Sequence, residues 1–197
     1  MSLISTSKLC KSYNGKVLFN NLSFSIEKGD KAVFVGDSGT GKTTLLRMLL
    51  GIVAADCGSI SYGNQELSRM SVDKIRKQVA YLPQGVDLFA NTGEELLYLL
   101  GLDFSSVSQN MVRLLLSESA IKQQFAELSG GEKQRLVTAI VLGLNRPIIF
   151  LDEPTSALDA NAVNALMSLI SDNPELTVVS TSHNPLWVEF CNKKITL

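Results

Sequence analysis

Residues 31–50, KAVFVGDSGTGKTTLLRMLL, decide how this chain folds. The run AVFV is continuously apolar, which predicts a strand buried on both faces, and LLRMLL has apolar residues at helical spacing. Between them, Gly36 to Thr43 match the pattern GxxxxGK[ST]. Glycines let backbone N–H groups turn inward around an anion, and the following helix adds the partial positive charge of its N-terminus. The stretch therefore predicts a strand, a phosphate-binding loop and a helix.

The loop offers several groups to a phosphate chain and its metal ion. We expect Lys42 to reach the β- and γ-phosphates and the Thr43 hydroxyl to bind Mg²⁺. A carboxylate near phosphates is unfavourable, so we expect Asp37 to point to solvent. The alternative interpretation is a glycine-rich turn without a ligand. The candidate nucleotide contacts in this loop are Gly36, Asp37, Ser38, Gly39, Thr40, Gly41, Lys42, Thr43 and Thr44.

A second apolar run, Ile148 to Leu151, is followed directly by two acidic residues, Asp152 and Glu153. Ligands of open α/β sheets bind at the carboxyl ends of the strands. There, one carboxylate can hold Mg²⁺ while its neighbour orients or deprotonates a water that attacks the γ-phosphate. We assign Asp152 to the metal and Glu153 to the water. The alternative is a pair of acids that only cap the strand in solvent.

The rest of the chain alternates between strand and helix patterns, which predicts a sheet covered on both faces. Strands are predicted by apolar runs at 79–82 and 177–181 and by the alternation of Leu22, Phe24 and Ile26; helices by the spacing at 42–50, 131–144 and 160–170. From Gly85 to Leu128 the pattern is helical, at 94–100 and 111–118, without a convincing strand. This segment predicts a small helical subdomain inserted in the α/β core.

The sequence LSGGE, from Leu128 to Glu132, opens the predicted helix 131–144. Ser129 and Glu132 have the spacing of a capping box, so one interpretation is a helix cap with a glycine turn. That leaves Gly131 unexplained, because glycine in a first turn costs up to ~1 kcal/mol relative to alanine unless something approaches the backbone closely. The glycines also supply a second helix N-terminus that can bind an anion.

Composition excludes several classes of protein. The chain has 197 residues, 45% hydrophobic and 19% charged, which is typical of one folded domain and not of a disordered chain. A net charge of −1 gives no case for nucleic-acid binding. No apolar stretch reaches the ~20 residues that span a bilayer. Cys10, Cys57 and Cys191 contain no CxxC pair, so we expect reduced, buried thiols and no metal site.

In order and rough spacing, the motifs resemble those of the ATP-binding-cassette (ABC) ATPases. The resemblance is carried by the phosphate loop, Gln84 after a strand, LSGGE, LDEP followed by SALD, and His183 after TVVSTS. It implies an α/β fold in which a P-loop NTPase core carries an antiparallel β subdomain and a small inserted helical subdomain. We expect one ABC ATPase domain over 1–197, with the insert at about 85–145.

The resemblance also implies roles for single residues in ATP hydrolysis. Tyr13 resembles the aromatic residue that stacks on adenine. Gln84 resembles the glutamine that senses Mg²⁺ and the attacking water, and His183 the histidine at the γ-phosphate. With Lys42 and Glu153, Gln84 and His183 form the expected catalytic set, and the expected metal ligands are Thr43, Gln84 and Asp152.

A further group resembles residues that act across a dimer. Ser129, Gly130 and Gly131 are similar to the signature residues that contact ATP held by the opposite subunit. Asp159 resembles the acid that links the two sites. The resemblance therefore implies a nucleotide-sandwich dimer, in which a second copy of the chain completes each site.

These observations predict a Mg²⁺-dependent ATPase subunit that powers an ABC membrane transporter, with ATP and Mg²⁺ as cofactors. The expected partners are an integral-membrane permease and a second copy of the chain, with no nucleic acid. We expect a cytoplasmic protein, peripheral on the inner face of the cell membrane through the permease. The insert should dock there, since so small a subdomain cannot easily bury its apolar residues Leu88, Phe89, Leu96, Leu97, Tyr98 and Leu99. The alternative is that these side chains only pack on the core.

Two alternative functions have less support. A soluble ABC protein of DNA repair or translation usually needs two cassettes in one chain or a long inserted arm, and a −1 charge does not favour it. A module that no longer hydrolyses nucleotide is disfavoured because Lys42, Asp152, Glu153 and His183 are all present. The segments LFANTGEEL and AELSGGEKQR look most like small stand-alone subunits of two-component systems such as iron exporters. The substrate and the direction of transport stay open.

Overall fold

The central sheet is parallel and has five strands. In the computed structural model, which describes residues 2–13, 15–85 and 90–197, these are β3 (Lys31–Val35), β6 (Val79–Leu82), β7 (Ile148–Asp152), β8 (Thr177–Thr181) and β9 (Lys193–Thr196). Their spatial order is β6-β7-β8-β3-β9. Four of them are the strands predicted from apolar runs. The fifth, β9, is an edge strand with two lysines, which is why no apolar run predicted it.

A second, antiparallel sheet covers part of the first. It contains β1 (Ile4–Tyr13), β2 (Lys16–Ile26), β4 (Cys57–Tyr62) and β5 (Gln65–Glu66), in the order β2-β1-β4-β5. The alternation predicted around Phe24 lies in β2, where Ile26 is fully buried. The predicted mixed α/β fold with an antiparallel subdomain is therefore confirmed.

Helices complete the covering of the parallel sheet. They are α1 (Lys42–Leu49), α2 (Val72–Arg76), α3 (Gly93–Leu100), α4 (Ser108–Arg113), α5 (Gly130–Gly143), α6 (Ala160–Ser171) and α7 (Pro185–Phe190). Alternate residues of β7 face different cores: Ile148 and Phe150 pack with α1 and the antiparallel sheet, and Ile149 and Leu151 with α5 and α6. Among the described residues, no helix is both long and apolar enough to cross a bilayer.

The segment between β6 and α5 differs in detail from the prediction. The helix expected at 111–118 is α4, which begins at Ser108 and ends at Arg113. It stops early because Leu115 has a left-handed backbone, with φ of 60°, and the carbonyls of Leu114 and Leu115 accept hydrogen bonds from Arg135 instead. A 3₁₀ turn, Glu118–Lys122, follows. The predicted docking residues Leu88 and Phe89 lie outside the described residues.

The expectation of three reduced, buried thiols is wrong for two of the cysteines. Cys10 and Cys57 form a disulfide, with their Cα atoms 5.0 Å apart, and Cys57 is exposed. They are direct neighbours in the pairing of β1 with β4, a proximity that a sequence separation of 47 conceals. Cys191 is free and buried as expected, and burial raises the pKa of its thiol to about 11.

A buried lysine fixes the amino-terminal end of the parallel sheet. Lys31 begins β3, and its ammonium donates to the carbonyls of Gly29, Asn173, Pro174 and Leu176. Burial lowers the pKa of Lys31, against the opposing effect of the nearby acids. The ammonium therefore ties the loop between α6 and β8 to the start of β3.

We predict that Lys31→Met destabilises the protein by about 1–3 kcal/mol, because methionine fills the space but leaves buried carbonyls without a donor. Lys28→Met is the control: Lys28 forms an exposed ion pair with Glu175, so its loss should change stability by less than about 1 kcal/mol. Urea denaturation of both variants measures the difference. Equal stabilities would contradict this role of Lys31.

Candidate active site

One open cavity of about 790 Å³ gathers half of the predicted site residues. It lies at the carboxyl ends of the parallel strands, where ligands of α/β sheets bind. The loop before α1 contributes one wall, the ends of β6, β7 and β8 contribute another, and Leu18 of β2 faces them. The lining residues are Leu18, Ser38, Gly39, Gly41, Lys42, Thr43, Thr44, Gln84, Glu153, Thr155, Ser156, His183 and Asn184.

The loop from Gly36 to Thr43 is held in the predicted shape by its own lysine and glycines. Lys42 donates from its ammonium to the carbonyls of Gly36 and Asp37, at 2.8 and 2.9 Å. Gly41 has φ of 101°, and a Cβ there would lie 2.8 Å from the Phe19 ring of β2. No other residue fits that position. The Asp37 side chain is exposed, so this residue contributes its backbone to the loop.

The predicted metal ligands Thr43 and Asp152 are in contact. Asp152 is 1% exposed, and its Oδ1 accepts from the Thr43 hydroxyl at 3.0 Å and from the Thr181 hydroxyl at 2.7 Å. Its Oδ2 is buried without a hydrogen-bond partner in the described part of the chain. Mg²⁺ prefers few protein ligands, mainly carboxylate and hydroxyl oxygens, with phosphates and water completing its shell. The unpaired oxygen beside Thr43 therefore fits a magnesium ion.

Glu153 has an unusual backbone conformation. Its φ is 53°, in the left-handed region that few non-glycine residues adopt. Its N–H donates to the carbonyl and the hydroxyl of Thr181, at 3.2 and 2.9 Å, and its carbonyl accepts from Gln134 Nε2 at 3.0 Å. Its Oε1 lies 3.6 Å from His183 Nε2. The hydrogen bonds hold the strained residue so that its carboxylate faces the cavity beside the histidine.

Gln134 and Thr181 are site residues that the sequence did not reveal. Gln134 belongs to α5 and is 8% exposed; besides its bond to Glu153, its Oε1 accepts from the Ala157 N–H at 3.1 Å. Nothing in the pattern of GGEKQR distinguishes this glutamine from its surface neighbours. Thr181 had a usable signal, since it is a polar residue at the carboxyl end of a buried strand.

Another group of predicted site residues lies outside the lining of this cavity. Besides Gly36, Asp37, Thr40 and Asp152, which adjoin it in the chain, these are Tyr13, Ser129, Gly130, Gly131 and Asp159, all of them described residues. The predicted capping box is present: Ser129 Oγ accepts from the Glu132 N–H, and the Glu132 carboxylate accepts from the Ser129 N–H. Asp159 caps α6, where its Oδ1 accepts from the Ala162 N–H at 2.8 Å.

Gly131 has a reason within its own chain. A Cβ at this position would lie 2.8 Å from the Ala157 carbonyl oxygen, a contact that no side chain can make. The glycine therefore permits the loop after β7 to pass close to the first turn of α5. Ser129 and Gly130, the residues just before Gly131, remain exposed.

Comparison with known proteins places the chain in a family. The profile of the ABC transporter family matches residues 19–156, which includes the phosphate loop and the acids after β7. The chain belongs to the ABC transporter family.

Several relatives of this cassette are known. It is 33% identical to the mitochondrial iron-sulfur clusters transporter ATM1 of Candida albicans, over 91% of this chain and 26% of that protein. It is 32% identical to the energy-coupling factor transporter ATP-binding protein EcfA1 of Staphylococcus aureus, over 83% of this chain and 65% of that protein. The cassette thus spans about a quarter to two thirds of these relatives.

Solved structures agree with the fold of the cassette. The bacterial ABC transporter cassette MJ0796, solved as a dimer, superposes with a TM-score of 0.87 at 25% identity, covering 98% of this chain and 94% of that one. A bacterial Atm1-family ABC exporter with ATP bound gives the same TM-score and identity, covering 37% of that chain. The ABC ATPase fold is therefore shared over almost the whole cassette.

The conformation of Glu153 gives a prediction about stability. Asparagine tolerates the left-handed region better than glutamine, so Glu153→Asn should be about 0.5–1 kcal/mol more stable than Glu153→Gln. Both substitutions remove the charge, so the comparison isolates the backbone preference. Thermal unfolding of the two variants without nucleotide measures it, and a less stable asparagine variant would contradict strain at this residue.

Proposed function

We propose that this cassette is the ATP-binding and ATP-hydrolysing subunit that powers an ABC membrane transporter. The observation that carries the proposal is the convergence of Lys42, Gln84, Glu153 and His183 on one cavity, with the unpaired Asp152 oxygen close to Thr43. This set contains a phosphate cradle, a metal ligand pair and a carboxylate for water. Membership of the ABC transporter family supports the same activity.

The residues of the site have two tasks in this proposal, nucleotide binding and proton transfer. The loop N–H groups and the N-terminus of α1 bind the phosphates, and Lys42 exchanges the carbonyls of Gly36 and Asp37 for phosphate oxygens. Thr43 and Asp152 would hold Mg²⁺, with Gln84 as a third ligand. When bound, the metal neutralises charge on the transferring phosphoryl group.

Glu153 and His183 act on the other side of the γ-phosphate. The Glu153 carboxylate orients the attacking water and accepts its proton, because it projects into the cavity from a fixed backbone. His183 is more than half exposed, so its ring is free to turn toward the γ-phosphate. The 3.6 Å separation of Glu153 Oε1 and His183 Nε2 supports these two roles on one side of the γ-phosphate.

The first test of this function is ATP hydrolysis. We predict that Lys42→Ala lowers Mg²⁺-dependent phosphate release at least 100-fold, since the lysine contacts charge that develops in the transition state. Lys74→Ala, an exposed lysine on α2, is the control and should keep full activity. Wild-type protein that releases no phosphate, even with its permease, would refute the proposed activity.

We further propose that two cassettes join head to tail with two ATP molecules at the interface. Ser129 and Gly130 are exposed and do not line their own chain's cavity, so they are available to the γ-phosphate bound by a second copy. Gly131 and Asp159 belong to the same interface in this proposal. The N-terminus of α5 adds partial positive charge toward that phosphate.

The dimer can be trapped by blocking turnover. Glu153→Gln should bind Mg-ATP without hydrolysing it and should elute as a dimer on a sizing column. Adding Ser129→Arg should return it to a monomer that still binds ATP, because the arginine blocks the interface and Ser129 does not line its own chain's cavity. The substitution also removes the Ser129 cap of α5, at a cost of about 0.5–2 kcal/mol, so retained ATP binding shows that the variant is folded. A Glu153→Gln variant that stays monomeric at saturating Mg-ATP would count against the head-to-tail pair.

We propose that the chain forms one domain over 1–197, and that its helical insert, at about 85–145, docks on a permease at the inner face of the membrane. Apolar side chains on the described part of the insert support this. Tyr98 is 84% exposed, and Leu99, Val112 and Leu115 are more than half exposed. Exposed apolar side chains that share one small segment favour a contact with a partner protein.

Tyr98 gives a test within the described residues. Tyr98→Asp should leave folding and ATP binding unchanged, because the side chain lies in solvent, and should lower co-purification with the permease at least tenfold. Glu118→Lys, another exposed charge change on the insert, is the control. If Tyr98→Asp co-purifies with the permease as well as the wild type does, the docking surface lies elsewhere on the cassette.

A further inference from the structure

A lysine of β1 is fixed in place by an acidic residue at the start of β4. The Lys11 side chain is only 12% exposed, and its ammonium donates to Asp56 Oδ1 at 2.7 Å. The second oxygen of Asp56 accepts from the Ser12 N–H at 2.8 Å. The hydrogen bond from Lys11 lowers the pKa of Asp56, which therefore stays charged. One carboxylate thus holds both the side chain of Lys11 and the backbone that follows it.

The same ammonium lies against an aromatic ring. Lys11 Nζ is 5.0 Å from the ring centroid of Tyr13, within the range of a cation–π contact. Lys11 and Tyr13 are two residues apart on a strand, so their side chains leave it on the same side. Tyr13 is 46% exposed, so its ring retains surface that a ligand can cover.

Tyr13 lies at the end of the hairpin that contacts the phosphate loop. Tyr13 pairs with Lys16 across the hairpin of β1 and β2, and the Lys16 ammonium donates to the Gly39 carbonyl at 3.3 Å. Two residues further along β2, Leu18 lines the nucleotide cavity. The hairpin therefore places Tyr13 opposite a residue that contacts the phosphate loop, and five residues before one that lines the cavity.

We infer that Lys11, held by Asp56, is a positioning residue that fixes the Tyr13 ring as the stacking platform for the nucleotide base. The inference rests on the proposed function and adds two residues to it. A ring with its position fixed binds a base without losing rotamer freedom. An ammonium against one face also draws electron density from the ring, which favours an electron-rich purine on the opposite face.

The experiment compares a ligand that has a base with one that has none. Mg-ATP and inorganic tripolyphosphate are titrated calorimetrically into the wild-type chain and into Lys11→Met, Lys11→Arg, Tyr13→Leu and the double variant Lys11→Met/Tyr13→Leu. Lys8→Met, an exposed lysine on the same strand, is the matched control.

Lys11→Met should weaken ATP binding about 2- to 5-fold, the effect of an exposed cation–π contact, and leave tripolyphosphate binding unchanged. Lys11→Arg should restore ATP affinity, because arginine keeps both the charge and the pairing with Asp56. In the Tyr13→Leu background, Lys11→Met should have no further effect, since it acts through the ring.

Each failure has its own signature. If Tyr13→Leu binds ATP as the wild type does, the expectation that Tyr13 stacks on the base is wrong, while the proposed ATP hydrolysis is untouched. If Tyr13→Leu weakens ATP binding and Lys11→Met does not, the base site stands and the role of Lys11 is overturned. An equal loss of ATP and tripolyphosphate affinity in Lys11→Met also overturns it, because Lys11 would then act on the phosphates or the fold.

Discussion

The buried carboxylate of Asp152 is the interaction on which the site depends. Through its Oδ1 it joins three elements: β7, which carries it, α1 through Thr43, and β8 through Thr181. Burying a charged group is costly unless hydrogen bonds or a counter-ion compensate for it. Two hydroxyl donors compensate one oxygen, and the other has no partner in the described structure. The second oxygen is therefore a buried acceptor without compensation. A cation bound there would compensate it, so binding of a metal–nucleotide complex would also stabilise the folded protein.

The end of β7 places two consecutive acidic residues in different environments. Asp152 is the last residue of β7, and its carboxylate contacts Thr43 of α1 and Thr181 of β8. Glu153 turns out of the strand with a left-handed backbone. Thr181 contacts both residues, since its hydroxyl donates to Asp152 Oδ1 and accepts from the Glu153 N–H. Such strain persists only where surrounding contacts over-determine it, and it occurs often at functional sites.

Local sequence patterns predicted the strands and the loop whose signal lies within a few consecutive residues. Strands β3, β6, β7 and β8 were predicted because a strand buried on both faces is a run of consecutive apolar residues. The loop before α1 was predicted because its glycines have a recognisable spacing within one short segment. Features that depend on distant pairing were missed. The Cys10–Cys57 disulfide needs the register of β1 on β4, and the early end of α4 at Arg113 needs Arg135 from another helix.

The candidate site divides in the same way. Motif residues such as Lys42 and Glu153 were predicted because their chemistry accompanies a recognisable spacing. Gln134 was not predicted, because its role depends on contacts with residues that are distant in sequence. Its amide donates to the Glu153 carbonyl and accepts from the Ala157 N–H, so it spans the loop after β7 from the first turns of α5. Gly131 permits the same close approach by leaving room for the Ala157 carbonyl.

The turn that presents Ser129 to solvent and the loop that carries Glu153, the acid we propose to orient the attacking water, are thus joined within one chain. The bond to the Glu153 carbonyl is also one of the contacts that hold its strained backbone. A shift of α5 that follows a contact at Ser129 would therefore reach Glu153 through a single buried amide, without passing through the bound nucleotide.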